Sequence, residues 1–305
     1  MTQNDPLASI VIVTKDRRDE ALRAVESAVA QKPSVEVLLV DDGSSDGTAA
    51  AVRAAFPTVR VERFETSAGY IVRRNAAAGM TDAAVLVSID DDAEFASDQD
   101  VARTVAELGD PVVGAVAMPY VDLGMDTAVL QRAPDGDRPY VTHGFRGTAY
   151  AVRRELFARL GGFREHFFHQ AEEPDFCMRL LAAGSVVRLG RAEPIQHHVS
   201  LKRDVERMWF YGCRNEILFA WHNVPLPYLP ARIARVAAHS VWLGIGVRRP
   251  GLFARGVWAG LRACYRAERR PVSRRAYRLY HELRKREAVP LDEVRVRLIG
   301  SEGTS

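Results

Sequence analysis

Val35-Glu36-Val37-Leu38-Leu39-Val40-Asp41-Asp42-Gly43-Ser44-Ser45-Asp46-Gly47-Thr48 runs six mostly apolar residues straight into an acidic, Gly/Ser-rich turn. An apolar, β-branched run that stops this sharply reads as a buried strand delivering its carboxyl end to a loop. Upstream, residues 8–13 (ASIVIV) form a second such run, and residues 19–31 between the two have helical spacing until Pro33 stops them. That is a β-α-β unit. Downstream, residues 59–64 and 83–89 (AAVLVSI) supply two more strands, separated by Ala-rich helical segments at 49–56 and 70–79. Alternation of this kind predicts an α/β, doubly wound and mainly parallel sheet, with ligands collecting beyond the carboxyl ends of its strands.

The residues just after those strands are acidic. Thr14-Lys15-Asp16-Arg17 follows the first, Asp41 to Thr48 the second and Asp90-Asp91-Asp92 the fourth, so all three belong on one rim. Residues 109–152 lose periodicity around Pro119, Pro134, Gly136 and Pro139, which predicts loops and a hairpin, and a place for an acceptor, rather than another regular unit. Gly161-Gly162-Phe163 turns the chain toward a helix over 175–183 with Gly184 as its stop, which sets Glu172 and Glu173 at that helix's positive end. From 201 onward the pattern is helical, over 201–222, 231–247, 252–268 and 273–287.

The net charge of +3 conceals an asymmetry: residues 1–200 hold 21 Lys+Arg against 30 Asp+Glu, and residues 201–305 hold 21 against 9. Two parts with different surroundings are implied, residues 1–222 and a basic extension, residues 223–305. Cys177, Cys213 and Cys264 are too scattered for a disulfide framework or a zinc site, which suits a reducing, cytoplasmic setting. Residues 1–6 lack the order of a secretory signal. The longest apolar stretch of the basic part, 236–247, falls short of the roughly 20 residues that span a bilayer.

Three adjacent carboxylates at a strand end suit a hard divalent cation, which neutralises the phosphates of a nucleotide diphosphate. Ile10 to Arg17, Val40 to Thr48, Arg74-Asn75, Ile89 to Asp92, Gly161-Gly162-Phe163 and Glu172-Glu173-Pro174-Asp175-Phe176, in that order, resemble the family 2 glycosyltransferases of GT-A fold. The resemblance covers about residues 7–220 and rests most on VDDGSSDGT in order with the acidic triplet. It implies a Rossmann-like, doubly wound mixed sheet carrying a helical basic C-terminal extension. It also implies an inverting enzyme using Mg²⁺ or Mn²⁺ and a nucleotide-diphosphate sugar, UDP or dTDP first, to extend a sugar or lipid-linked acceptor in surface polysaccharide or glycoconjugate assembly.

Residue by residue, the resemblance sets Thr14 and Asp42 at the nucleotide base, a carboxylate being a fitting acceptor for a pyrimidine N3 proton. Asp90 falls near the ribose, with Arg17, Arg74 and Asp91 also on the donor, and Asp92 matches the metal ligand. Asp41, Ser44, Ser45 and Asp46 are expected to shape the turn and cap the helix near Thr48. Glu173 matches the base that takes the acceptor's proton, with Asp175 as the rival, because the family shows Glu-Asp where this chain has Glu172-Glu173. Of His197 and His198, which follow a short strand-like run, His198 is the expected further metal ligand.

The basic extension interleaves Trp242, Trp258, Tyr265 and Tyr277 with many arginines, a composition that suits an anionic membrane surface as well as a helical appendage packed on the catalytic part or joining an oligomer. No nucleic-acid module is recognisable. Two other functions share parts of the pattern. A sugar-phosphate nucleotidyltransferase needs a Gly-rich basic loop after the first strand, which Thr14 to Arg17 is not. A catalytically silent nucleotide-sugar-binding protein needs no base, yet both Asp92 and Glu173 are present.

Overall fold

The computed structural model describes residues 6–125, 128–199 and 204–299. The alternation expected at the start is there as β1 (Ser9–Thr14), α1 (Arg18–Val29), β2 (Glu36–Asp41), α2 (Thr48–Ala55), β3 (Arg60–Arg63), α3 (Tyr70–Ala78) and β4 (Val85–Asp90). Then come β5 (Ala93–Glu94), α4 (Asp100–Glu107), β6 (Val113–Ala117), β7 (Tyr120–Leu123), β8 (Tyr140–Thr142), β9 (Ala149–Arg153), α5 (Arg154–Arg159), α6 (Glu172–Ala182), β10 (Val186–Leu189) and β11 (Ile195–His198). The chain continues through α7 (Val205–Asn223), α8 (Tyr228–Gly246), α9 (Pro250–Cys264), α10 (Arg274–Arg286), β12 (Val289–Pro290) and α11 (Leu291–Ile299). Residues 201–203 of the helix expected from 201, and residues 1–5, lie outside the described residues.

Nine strands form one mixed sheet in the order β12-β8-β10-β6-β9-β4-β1-β2-β3, and β5-β11-β7 form a small second sheet. The apolar runs of β1, β2 and β4 are buried, as in a sheet covered by helices on both faces. α1 buries Ala21, Ala24, Val25 and Ala28, the stripe that a 3.6-residue period produces. Register brings the functional ends together: Thr14 pairs with Asp41 and Val13 with Asp90, so β1, β2 and β4 finish level.

The stretch expected to hold loops and a hairpin instead contributes two central strands. β9 lies antiparallel between β4 and β6. β6 (VGAVA) is short and broken by Gly114, where a Cβ would stand 2.5 Å from Leu156 Cδ2. The small residue that dilutes the strand signal is there because helices crowd that point, and runs this short carry no period of their own.

The extension packs back on the sheet. Gly256 and Gly260 let α9 press on α7, where added Cβ atoms would meet Phe210 O at 2.8 Å and Arg214 O at 2.7 Å. Leu279, Tyr280 and Leu283 of α10 are buried in the main core, and β12 adds the ninth strand beside β8. The boundary expected after His222 falls at the end of α7. All three cysteines are free and buried, in keeping with the absence of a disulfide framework.

Candidate functional site

The two turns at the carboxyl rim are tied to each other. Asp41 Oδ1 accepts from Ser44 N (2.8 Å), Asp16 Oδ1 from Ser45 N (2.7 Å), and Asp46 from Thr48 N (3.0 Å) and Arg18 N (3.1 Å). The Asp/Ser-rich string therefore builds the rim and the start of α2. Thr14, buried at the end of β1, accepts from Asp42 N through its carbonyl (2.9 Å).

Asp42 is more fully engaged than its expected place at the base requires. Its carboxylate accepts from Arg73 Nε (2.6 Å), Ala68 N (2.8 Å), Gly69 N (2.8 Å) and Ser67 Oγ (2.6 Å). A carboxylate has about four lone-pair sites, so protein donors take them all and Asp42 holds the 67–73 segment rather than offering a free acceptor. Against burial, which opposes ionisation, these bonds keep its pKa below the ordinary value.

Past β4 the acidic triplet splits by direction. Asp90 is the more exposed and pairs with Arg74 Nη2 (2.6 Å), while Arg17 Nη1 bridges Asp91 (3.0 Å) and Asp92 (2.7 Å). Burial pushes Asp91 up to about 7 against the pull of Arg17. Asp92 also faces His197 Nε2 (3.3 Å), whose Nδ1 stands 2.5 Å from Asp122 Oδ1. Burial opposes charge on His197, but the two carboxylates outweigh it and raise its pKa to about 9.

Asp90, Asp92 and His197 each present a ligand atom, all within 4.8 Å of one another. Two carboxylates and an imidazole are a donor set that fits a divalent cation. Asp122 lies opposite His197 in the β7–β11 register and orients the ring so that Nε2 faces the carboxylates, the usual arrangement behind a metal-binding histidine. The expected ligand His198 is not part of this cluster. Successive side chains of a strand point to opposite faces, and His198 Nε2 instead stands 2.9 Å from Glu94. Extending the strand through residue 198 would have set the two histidines on opposite faces, without telling which face holds the cluster.

Glu173 reaches the same rim from α6. Its Oε1 accepts from Gly147 N (2.9 Å), and Arg74 Nη2 donates to the Gly147 carbonyl (3.0 Å) as well as to Asp90. A Cβ on residue 147 would lie 2.6 Å from Glu173 Oε1 and 2.8 Å from Arg74 Nη1, so only glycine lets both approach. Nothing in the string Arg146-Gly147-Thr148 announced this role. Burial, opposed by Arg74, raises the pKa of the Glu173 carboxylate, the direction that suits a base working near neutrality. Glu172 is wholly buried with neither oxygen hydrogen-bonded, and burial together with the Glu173 charge raises its pKa well above the carboxylate range.

The rival base is committed elsewhere. Asp175 is fully buried, paired with Arg164, with Arg179 Nη2 (2.9 Å) and with Asn223 Nδ2 (2.7 Å). Two asparagines fix the surroundings. Asn75 clamps Phe163 by accepting from its N–H (2.9 Å) and donating to its carbonyl (2.8 Å). Asn215 donates to the carbonyls of Phe167 (2.9 Å), His169 (2.7 Å) and Gln170 (2.9 Å) in the segment that leads into Glu172. The rim thus gathers Thr14, Arg17, Asp42, Arg74, Asp90, Asp91, Asp92 and Glu173, and replaces His198 with His197.

The family model for glycosyl transferase family 2 matches residues 9–163. Over 89 residues the chain is 36% identical to the succinoglycan biosynthesis protein ExoU of Rhizobium meliloti (strain 1021), an alignment covering 28% of this chain and 26% of ExoU. The chain therefore spans about a quarter of the length of that curated relative. Among solved structures it is similar to the mannosyltransferase PcManGT of Pyrobaculum calidifontis, in complex with GDP-Man and Mn²⁺ (TM-score 0.60, 21% identity, covering 92% of this chain and 80% of that one). It is also similar to S. aureus TarS 1-349 in complex with UDP-GlcNAc (TM-score 0.59, 14% identity, covering 84% and 91%). The likeness to both is one of fold, the GT-A fold with a helical C-terminal region.

Proposed function

The chain belongs to glycosyl transferase family 2, and we propose that it moves a sugar from a nucleotide-diphosphate donor to a hydroxyl acceptor with inversion at the anomeric carbon, with a divalent cation bound by Asp90, Asp92 and His197. The observation that carries this is the line of contacts from Glu173 through Gly147 and Arg74 to Asp90. It joins a half-buried carboxylate of raised pKa to a cluster of two carboxylates and an imidazole. Family membership sets aside the nucleotidyltransferase alternative, and a base beside such a cluster favours catalysis over silent binding.

Glu173 takes the acceptor hydroxyl's proton as that oxygen attacks, while the N–H of Gly147, whose carbonyl Arg74 grips, holds the carboxylate in place. The cation, when bound, offsets the charge that builds on the departing diphosphate. Arg17 and Arg74 are the protein's own cations at that point. Asp90 serves the ribose, Asp91 stands behind it, and Thr14 with the turn held by Asp42 lines the base pocket. One base acting on one face leaves no covalent intermediate.

A nucleotide sugar as donor is supported by the GDP-Man and UDP-GlcNAc of the two fold neighbours, with UDP or dTDP kept as the first candidates. A role in polysaccharide or glycoconjugate synthesis is supported by the likeness to ExoU. Among the described residues no helix is long and apolar enough to cross a membrane. Trp242 and Trp258 are each 67% exposed and Tyr265 93%, and Arg248, Arg249 and Arg255 of the same stretch of chain are exposed as well. Aromatic and cationic groups so placed suit attachment to an anionic bilayer on its cytoplasmic face, where a lipid-linked acceptor would be met. The anomeric configuration of the transferred sugar, read by NMR, tests the mechanism: it should be opposite to the donor's, and a product with the donor's configuration contradicts a single displacement.

A further inference from the structure

Outside the acidic rim, a cavity of about 1250 Å³ opens between the 160–168 segment, α6, α7, α9 and the 265–273 turn. Six guanidinium groups line it: Arg164, Arg179, Arg214, Arg262, Arg266 and Arg270. Two carboxylates stand against them. Asp175 is buried behind the wall with Arg164 and Arg179, and Glu268 pairs with Arg270 (2.7 Å). Among the described residues neither Arg262 nor Arg266 has an ion-pair partner, and both are exposed on the α9 side.

The lining is not uniformly polar. Leu160, Phe168, Leu218 and Val272 share the walls, and Trp258 and Leu261 on α9 and Tyr265 just past its end are exposed. Two histidines record the field inside. His222 Nδ1 donates to the Glu268 carbonyl (2.8 Å), and its Nε2 lies 2.8 Å from His166 Nε2, so the two rings share one hydrogen bond. Burial and the neighbouring Arg164 push both imidazoles down, His222 to about 4.

Arginine forks match phosphate oxygens in pairs, and a cluster of four or more exceeds what one carboxylate ligand would neutralise. The volume exceeds that of a bare phosphate and falls above the range of ordinary ligand pockets. We propose that this cavity is a second anion site, separate from the nucleotide-sugar site, that holds the diphosphate group of a ligand whose apolar part lies along Leu160, Phe168, Leu218 and Val272. The inference goes beyond the glycosyl-transfer mechanism and does not depend on it. Its wall does touch that machinery, since Arg164 pairs with Asp175 of α6 and its neighbour Phe163 is clamped by Asn75, the residue after Arg74.

The test is calorimetric titration of the full chain in EDTA, which silences the cation-dependent rim, with inorganic pyrophosphate and separately with farnesyl diphosphate. Both should bind the wild type, and both should weaken at least about tenfold in the Arg262→Glu/Arg266→Glu double variant. Tighter binding of farnesyl diphosphate supports an apolar part lying along the wall, and equal affinities of the two probes contradict it. Arg270→Glu, on the turn rather than on α9, should weaken both in the same direction and guards against a local effect on α9. Failure of either probe to bind the wild type, or equal affinity in wild type and both variants, overturns the proposal.

Discussion

Glu172 and Glu173 share the first turn of α6, yet only Glu173 reaches the rim through Gly147. Glu173→Gln should keep donor affinity and lower kcat by about 10²–10⁴, the range that general-base catalysis supplies. Glu172→Gln should keep turnover, because Glu173 alone reaches the rim through Gly147, while the Glu172 side chain is buried away from that glycine. Its folded pKa is raised well above the ordinary 4.5, so its stabilising share is complete below about 4.5 and is lost as pH rises through the folded value. Urea unfolding across pH should therefore show a flatter decline above pH 4.5 for Glu172→Gln than for wild type, and parallel curves would contradict the raised pKa of the buried carboxyl. The acidic pair, the triplet and Arg74 were legible because each stands in an ordered string. The exchange of His198 for His197 was not, since two adjacent histidines differ only in which face of β11 they occupy. Nor was the saturation of Asp42, whose donors lie 25–31 residues away.

At the scale of elements, the approach to α6 is the most constrained part of the site. Phe168, Gln170 and Ala171 have φ of 61°, 66° and 73°, a region that non-glycine residues occupy only when their surroundings hold them there. Asn215 on α7 supplies that hold through three carbonyls. Asn215→Ala should lower stability by about 2–3 kcal/mol, the cost of leaving buried carbonyls without a donor, and should lower kcat as Glu173 loses its fixed approach. Chemical denaturation and turnover check it, and a change under about 0.5 kcal/mol with full activity would assign the loop's geometry to other contacts. The strands and helices of the first 90 residues were legible from period and turn chemistry. β6 and β9 were not, because runs of five residues, β6 further interrupted by Gly114, signal their place only through what packs on them.

For the whole molecule, the change from an acidic first part to a basic last part is a change of surface and not of core. Tyr280 and Leu283 of α10 lie in the main core and β12 closes one edge of the central sheet, so cutting after His222 would strip the core as well as the arginines. The membrane role is for that reason best tested in the intact chain. Trp242→Ser/Trp258→Ser, both highly exposed, should leave folding and donor binding unchanged and reduce sedimentation with anionic vesicles. Sedimentation equal to wild type would contradict an interfacial role for α8 and α9. Packing on the catalytic part was one of the readings the composition of this extension allowed; the addition of β12 to the sheet was not legible, because it depends on pairing with β8 far away in the chain.

The most direct test of the account is a calorimetric titration of UDP, dTDP, GDP and ADP, with and without Mn²⁺, for wild type, Asp92→Ala and His197→Ala. The account predicts Mn²⁺-dependent binding of one nucleotide by wild type, weakened at least about tenfold in both variants. Equal affinities with and without Mn²⁺, or a His197→Ala variant that binds as the wild type does, would contradict the cation site at Asp90, Asp92 and His197.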